Sequence, residues 1–193
     1  MVPRRITNGP PTALNVGFPR PVFPPFSRPI TDISKNARVS KSELLLEEGR
    51  ERLKEAIGPL IKKLKHYQRS LRIGVNHGSL STRMMEHYGN SPLGMVRSAL
   101  EMVELFEEQG FDQLVISLKS SNPVVVQKAY RLVVEELPRE NAVPLHLGVT
   151  ETGNGQIGRI KSLAGIGTLL ADGIGDTILV SLTEDSRHEV FYG

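Results

Sequence analysis

From Leu71 onward one local pattern recurs and limits the fold more than any other feature: a short apolar strand, a helix start, an amphipathic helix, then another strand. "LRIGVN" (71–76) has strand character. Ser91-Pro92 then opens a helix, with Ser as cap and Pro at the first helical position, that ends near Gly110. Met95, Ala99, Met102, Val103 and Phe106 keep one face of that helix. The series continues with "QLVISLK" (113–119), a helix opened by Asn122-Pro123, "VPLHLGVT" (143–150), a helix from about Gly158 to Ala171 closed by Gly173, and "DTILVSLT" (176–183). Four strands alternating with three helices predict an α/β fold with a parallel sheet and right-handed crossovers.

Two architectures satisfy that grammar, and side-chain alternation separates them. In a doubly wound sheet helices cover both faces and the strands read as near-continuous apolar runs, whereas barrel strands turn one face to a lumen with a site at its mouth. Here one face is mixed: Arg72, Gly74 and Asn76; Ser117 and Lys119; His146, Gly148 and Thr150; Thr177, Leu179 and Ser181. The opposite face is Leu, Ile and Val almost throughout. A complete barrel takes eight strands and about 250 residues. The expectation is therefore a partial (half) TIM barrel over 41–193.

Ahead of the strands, "SELLLEEGRERLKEAIGPLIKKLKHYQRS" places acids early and bases late around a helical apolar spacing, with a bend expected at Gly58-Pro59. Residues 1–40 form a Pro-rich basic arm, read as extended or disordered, because eight of the 13 prolines fall in the first 30 residues. The arm carries six Lys or Arg against one acid, Asp32, but no basic helix face or aromatic series accompanies it. A solvated tail is preferred to a nucleic-acid contact. Apolar runs fall short of the roughly 18–20 residues that cross a bilayer. With no secretory core either, a cytoplasmic location is expected, a plastid being the alternative in a eukaryote. The chain has no Cys, which excludes disulfides, thiolate nucleophiles and cysteine-held iron–sulfur clusters.

Polar groups at the strand ends define a candidate site: Asn76, His77, Ser117, Lys119, Thr150, Glu151, Ser181 and Thr183. Lys119 and the hydroxyls suit a phosphorylated substrate, and helix starts at Ser91 and Gly158 could add N–H donors. Glu151 has two readings, a general acid or base raised in pKa by burial, or a salt bridge to Arg159 or Lys161. His77 is a candidate acid–base group, while His146, mid-strand, reads as a hydrogen-bonded core residue. "GNGQIG" (153–158) lacks the Lys-Ser/Thr ending of a phosphate loop and is weak alone. No spacing suggests a metal site.

The strings "RIGVNHGSLSTRMMEHYG", "PLGMVRSALE", "LVISLKSSNP", "AYRLVVEE", "PLHLGVTETGNGQIGRIKS" and "GIGTLLADGIGDTILVSLTE" together resemble 4-hydroxy-3-methylbut-2-enyl diphosphate synthase of the non-mevalonate isoprenoid pathway, from roughly Leu71 to Glu189. The resemblance implies a TIM-barrel domain that binds 2-C-methyl-D-erythritol 2,4-cyclodiphosphate, and a further domain holding a 4Fe-4S cluster on three cysteines and a glutamate. Flavodoxin or ferredoxin supplies two electrons for reductive ring opening. By position, Lys119 and Ser181 match diphosphate-binding residues, and Thr150 and Glu151 match the pair beside the substrate. Glu151 falls on the carboxylate proposed to handle protons. Leu179 stands where the family usually has Arg, as "DTIRVSLT". An Arg-x-Asn-Pro-Gly-Asn strand is represented at best by "LNVGFP", without its Arg.

Three expectations follow. The chain is the substrate-binding part of such a barrel, inactive alone because it cannot hold the cluster and at most a weak diphosphate binder. Alternatively it is a noncatalytic assembly module covered by a second half-barrel or a homodimer partner, since open strand edges want covering. A third reading is another phosphate-binding TIM-barrel enzyme.

Overall fold

The computed structural model describes residues 41–137 and 143–193; the expected arm (1–40) and most of the loop before the third strand lie outside them. Helix α1 (Lys41–Tyr67) runs through Pro59 as one element. It buries Ile57 and Ile61 and lies against α2 (Thr82–Tyr88) and α3 (Pro92–Glu108). Ion pairs fasten its outer side. Arg50 reaches Glu104 and Glu108 on α3, and Lys54 Nζ lies 2.8 Å from Glu108. The hydrogen bond from Lys54 is the main reason the Glu108 carboxyl titrates below its ordinary value.

The helix starts follow from their caps. Ser91 Oγ accepts from Gly94 N at 3.1 Å, with Pro92 at the first helical position of α3. Asn122 Oδ1 accepts from Val124 N at 2.9 Å at the start of α4 (Pro123–Glu136). The short helices α2 and α7 (Ser186–Tyr192) were not foreseen, because seven residues give too few turns for a periodic signal.

Strands β1 (Leu71–Asn76) and β2 (Leu114–Lys119) pair in parallel, as do β3 (His146–Val149) and β4 (Thr177–Val180). Parallel bridges Ile116↔Leu145 and Ser120↔Val149 join β2 to β3. The spatial order is thus β1-β2-β3-β4, the order of the chain. A doubly wound sheet reverses its order at a switch point, and none occurs among the described strands. The strands are shorter than "VPLHLGVT" and "DTILVSLT" predict.

A single side chain explains why β2 and β3 meet at bridges rather than in a continuous ladder. Ile116 N donates to Pro144 O and Thr150 N to Ser120 O, but between them the Tyr130 hydroxyl of α4 is inserted. It accepts from Leu118 N at 2.8 Å and donates to the His146 carbonyl. Tyr130 is fully buried, and desolvation pushes its pKa up to about 12.

The helix-covered face of the sheet carries the core: Ile73, Val75, Ile116, Leu118, Leu147 and Val149 lie under Met95, Val96, Phe106, Val126 and Val133 of α3 and α4. The helix expected from about Gly158 to Ala171 is three pieces, α5 (Gly155–Ser162), a π-helical turn (Leu163–Gly167) and α6 (Thr168–Ala171). A Cβ on Gly165 would come 2.3 Å from Val149 Cγ2, so only glycine lets this turn approach β3. No helix among the described residues is long and apolar enough to cross a membrane.

Candidate functional site

Register fixes which side chains share the sheet face turned away from α3 and α4. Gly74↔Ser117 and Asn76↔Lys119 pair across β1 and β2, and His146↔Thr177 and Gly148↔Leu179 across β3 and β4. The bridge Ile116↔Leu145 sets Ser117 beside His146 and Lys119 beside Gly148. The mixed face read from the sequence is therefore one continuous surface. Its upper row runs Asn76, Lys119, Gly148, Leu179, and the row beneath it Gly74, Ser117, His146, Thr177.

Charge on this face is one-sided. Lys119 leans over Gly74, where an added Cβ would meet its Nζ at 3.8 Å. Arg72, two residues before Gly74 on the same face, bonds through Nη1 to His146 Nε2 at 3.2 Å. Neither Arg72 nor Lys119 forms a salt bridge with a described residue. Burial, then Arg72, then Lys119 depress the His146 pKa below the ordinary imidazole value. The Ser117 hydroxyl is 1% exposed and has no hydrogen-bond partner of proper geometry, although it stands close enough to Tyr130 to oppose slightly the rise in that phenol's pKa. Two cations, Arg72 and Lys119, thus share one face of the sheet above the buried Ser117 hydroxyl, and paired cations suit an anion with several acceptor oxygens.

The other expected residues sit around the mouth. His77 N donates to Lys119 O at 2.8 Å, and its Nε2 donates to Asn90 O at 3.2 Å, so this ring is tied to the α2–α3 connection. Thr150 N is bonded to Ser120 O. Thr152, fully buried, donates from Oγ1 to Ser181 O at 2.6 Å and fastens the loop after β3 to the end of β4. Thr183 N bonds to Gly153 O.

Glu151 is exposed and holds a φ of 55°, one of two non-glycine residues with positive φ among those described. That region costs an L-residue on the order of 1 kcal/mol and persists where the surroundings impose it. Of its two readings, the salt bridge of Glu151 to Arg159 or Lys161 is not formed. Arg159 Nη2 instead meets Glu184 at 2.7 Å, and its guanidinium stacks 4.4 Å over the Tyr192 ring. Glu184 also accepts from Gly155 N. The first N–H of α5, which begins at Gly155 rather than near Gly158, is therefore taken by the chain's own carboxylate.

Leu179 is 40% exposed and packs beside Gly148. It occupies the same row as Lys119, two strands away. Arg72 and Thr177 were on the mixed face in the sequence but were not chosen as site residues. Thr177 lies one row and Arg72 two rows below the strand ends, deeper than a search of the strand ends reaches. His146, read from the sequence as a hydrogen-bonded core residue, is buried and hydrogen-bonded at the first position of β3.

The iron–sulfur cluster that the resemblance implies does not fit these residues. The chain contains no Cys, and no group of three or more potential metal-ligating side chains occurs among the described residues.

Comparison with known proteins finds relatives over most of the chain. The chain is 53% identical over 141 residues to the chloroplastic ferredoxin-type 4-hydroxy-3-methylbut-2-en-1-yl diphosphate synthase of Oryza sativa subsp. japonica, a match covering 72% of this chain and 19% of the relative. To the ferredoxin-type synthase of Prochlorococcus marinus it is 54% identical over 142 residues, 73% of this chain and 35% of that one. With the Microcystis aeruginosa enzyme the match extends to 166 residues at 48% identity, 86% of this chain and 40% of the relative. The chain thus spans between about a fifth and two fifths of these curated relatives. The GcpE TIM-barrel domain family matches residues 33–193, and the chain belongs to that family.

Proposed function

We propose that this chain is a partial barrel whose lumen face holds the diphosphate of 2-C-methyl-D-erythritol 2,4-cyclodiphosphate, as part of an oxidoreductase that makes 4-hydroxy-3-methylbut-2-enyl diphosphate. The observation that carries this reading is that Arg72 and Lys119 share one face of the sheet, neither of them salt-bridged to a carboxylate among the described residues. The relatives' names, which specify a diphosphate synthase using ferredoxin or flavodoxin, support it. Lys119 and Ser181 would bind phosphate oxygens, Asn76 and His77 would line the mouth, and Thr150 would stand beside the substrate. Glu151 would exchange protons with it from the end of β3. Arg72 and Lys119 would orient and neutralise the diphosphate. Electrons from ferredoxin or flavodoxin would have to reach the substrate through a cluster held on residues outside this sequence.

The partial-barrel reading rests on the sequential parallel order of β1 to β4 and on the exposure of the last strand. Ile178 and Leu179 on opposite faces of β4 are 37% and 40% exposed, and Val190 and Phe191 on α7 are 84% and 79% exposed. Further barrel strands, or a second copy of the chain, would cover this edge.

The test is isothermal titration of the chain with the cyclodiphosphate. Binding at a single site, weakened about tenfold or more by Lys119→Met, is expected. Binding that ignores Lys119, or a preference for unrelated sugar phosphates, would overturn the reading.

A further inference from the structure

We propose that His146 is a positioning residue, a neutral imidazole locked by Thr177 in the Nδ1–H tautomer so that its Nε2 holds the Arg72 guanidinium on the lumen face. The tautomer follows from the inventory of donors. A guanidinium can only donate, so at 3.2 Å from Arg72 Nη1 the His146 Nε2 must accept. The remaining ring proton is then on Nδ1, which lies 2.7 Å from Thr177 Oγ1, and a hydroxyl can accept it. The result is a chain across the lumen from β1 through β3 to β4: Arg72, His146, Thr177.

Its effect is to preset a cation. An exposed arginine has many rotamers, and fixing one before the anion arrives lowers the ordering cost of binding. An imidazolium could not do this, because its Nε2–H would face the guanidinium donor to donor. The groups facing His146 are Arg72 from β1, Lys119 and Ser117 from β2, and Thr177 from β4; both charged ones are cations that disfavour protonation. The Tyr130 hydroxyl grips the His146 carbonyl from α4 and anchors its backbone without touching the ring. Position 146 is thus built to keep a neutral acceptor under a cationic site.

This assignment rests on the anion-binding reading above, and the experiment separates the two. Long-range 1H–15N correlation spectra of the full chain report the ring protonation at pH 7.5. The expected pattern is Nδ1–H for His146, kept in Thr177→Ser and lost to a tautomer mixture in Thr177→Val. An Nε2–H pattern in the wild-type chain would overturn the proposal whatever the chain binds.

Pyrophosphate affinity supplies the second readout. His146→Gln keeps an amide oxygen near the Nε2 position and should bind within about threefold of wild type. His146→Asn offers its polar atoms only near Nδ1 and should lose about tenfold. In Arg72→Met the added His146→Asn change should cost nothing more, because the histidine acts through the arginine. Equal losses in His146→Gln and His146→Asn, or additive losses in the double variant, would refute the positioning role. Failure of the wild-type chain to bind pyrophosphate, with the Nδ1–H tautomer intact, would instead refute the anion-binding reading.

Discussion

Replacing Leu179 by Arg should convert a weak anion site into a stronger one. Leu179 shares a row with Lys119, with Gly148 between them, so its Cα lies two strand spacings away, about 10 Å. An arginine there would reach over Gly148, which has no side chain to obstruct it, and would face Arg72 and Lys119 across the lumen. The loss is small. Full burial of a leucine contributes about 1.5–3 kcal/mol, but Leu179 is 40% exposed and an arginine stem would still cover Gly148. Repulsion from Lys119 at about 10 Å in water is about 0.4 kcal/mol, and salt reduces it further. The gain is a charge-assisted, bidentate contact to phosphate of about 1.5–3 kcal/mol, or roughly ten- to a hundredfold in affinity. Isothermal titration of Leu179→Arg with the cyclodiphosphate should show this gain in low salt and less of it at 0.5 M NaCl. A folded variant that binds no more tightly than wild type would refute the placement of the diphosphate on this row.

Other perturbations probe the supports of the site. Tyr130→Phe leaves Leu118 N–H and the His146 carbonyl without their shared partner and should lower stability by about 2 kcal/mol, measured by urea unfolding; an unchanged midpoint would mean that the strands close into a direct ladder. Gly165→Ala drives a methyl to 2.3 Å from Val149 Cγ2 and should cost about 1–3 kcal/mol in the same assay, whereas tolerance would show that the π-helical turn can move off the sheet. Glu151→Gly relieves a positive φ and should leave stability unchanged or raise it by up to about 1 kcal/mol, so a marked loss would assign Glu151 a structural role. Because the pKa of His146 is depressed in the folded chain, the unfolded chain binds the extra proton first as pH falls; its contribution to stability is present above about pH 6.5 and declines below it. His146→Gln should flatten that decline between pH 7 and 5.5, and an unaltered profile would show that the imidazole stays neutral on unfolding or titrates alike in both states.

Periodicity revealed the layout because each part of it rests on a local rule. Ser91-Pro92 and Asn122-Pro123 start helices through caps that act within three residues, and alternation sorted Arg72, Ser117, Lys119, His146 and Leu179 onto one face before any contact was known. What stayed hidden depends on partners distant in sequence. Nothing near Tyr130 signals that its hydroxyl will enter a ladder between strands on either side of it in sequence. Arg159 has Glu151 within reach along the chain yet pairs with Glu184, because the end of β4 returns over the start of α5. Arg72 was legible on the mixed face but not as a site residue, since its hydrogen bond to His146, itself bonded to Thr177, joins residues of two other strands.

The central claim, that the row joining Asn76, Lys119, Gly148 and Leu179 seats a diphosphate beside Arg72, is tested most directly by amide chemical-shift mapping during titration with 2-C-methyl-D-erythritol 2,4-cyclodiphosphate. The account predicts saturable shifts at Gly74, Asn76, Lys119 and Gly148 that vanish in Arg72→Met. Shifts confined to α1 or α7, or a titration that Arg72→Met leaves intact, would contradict it.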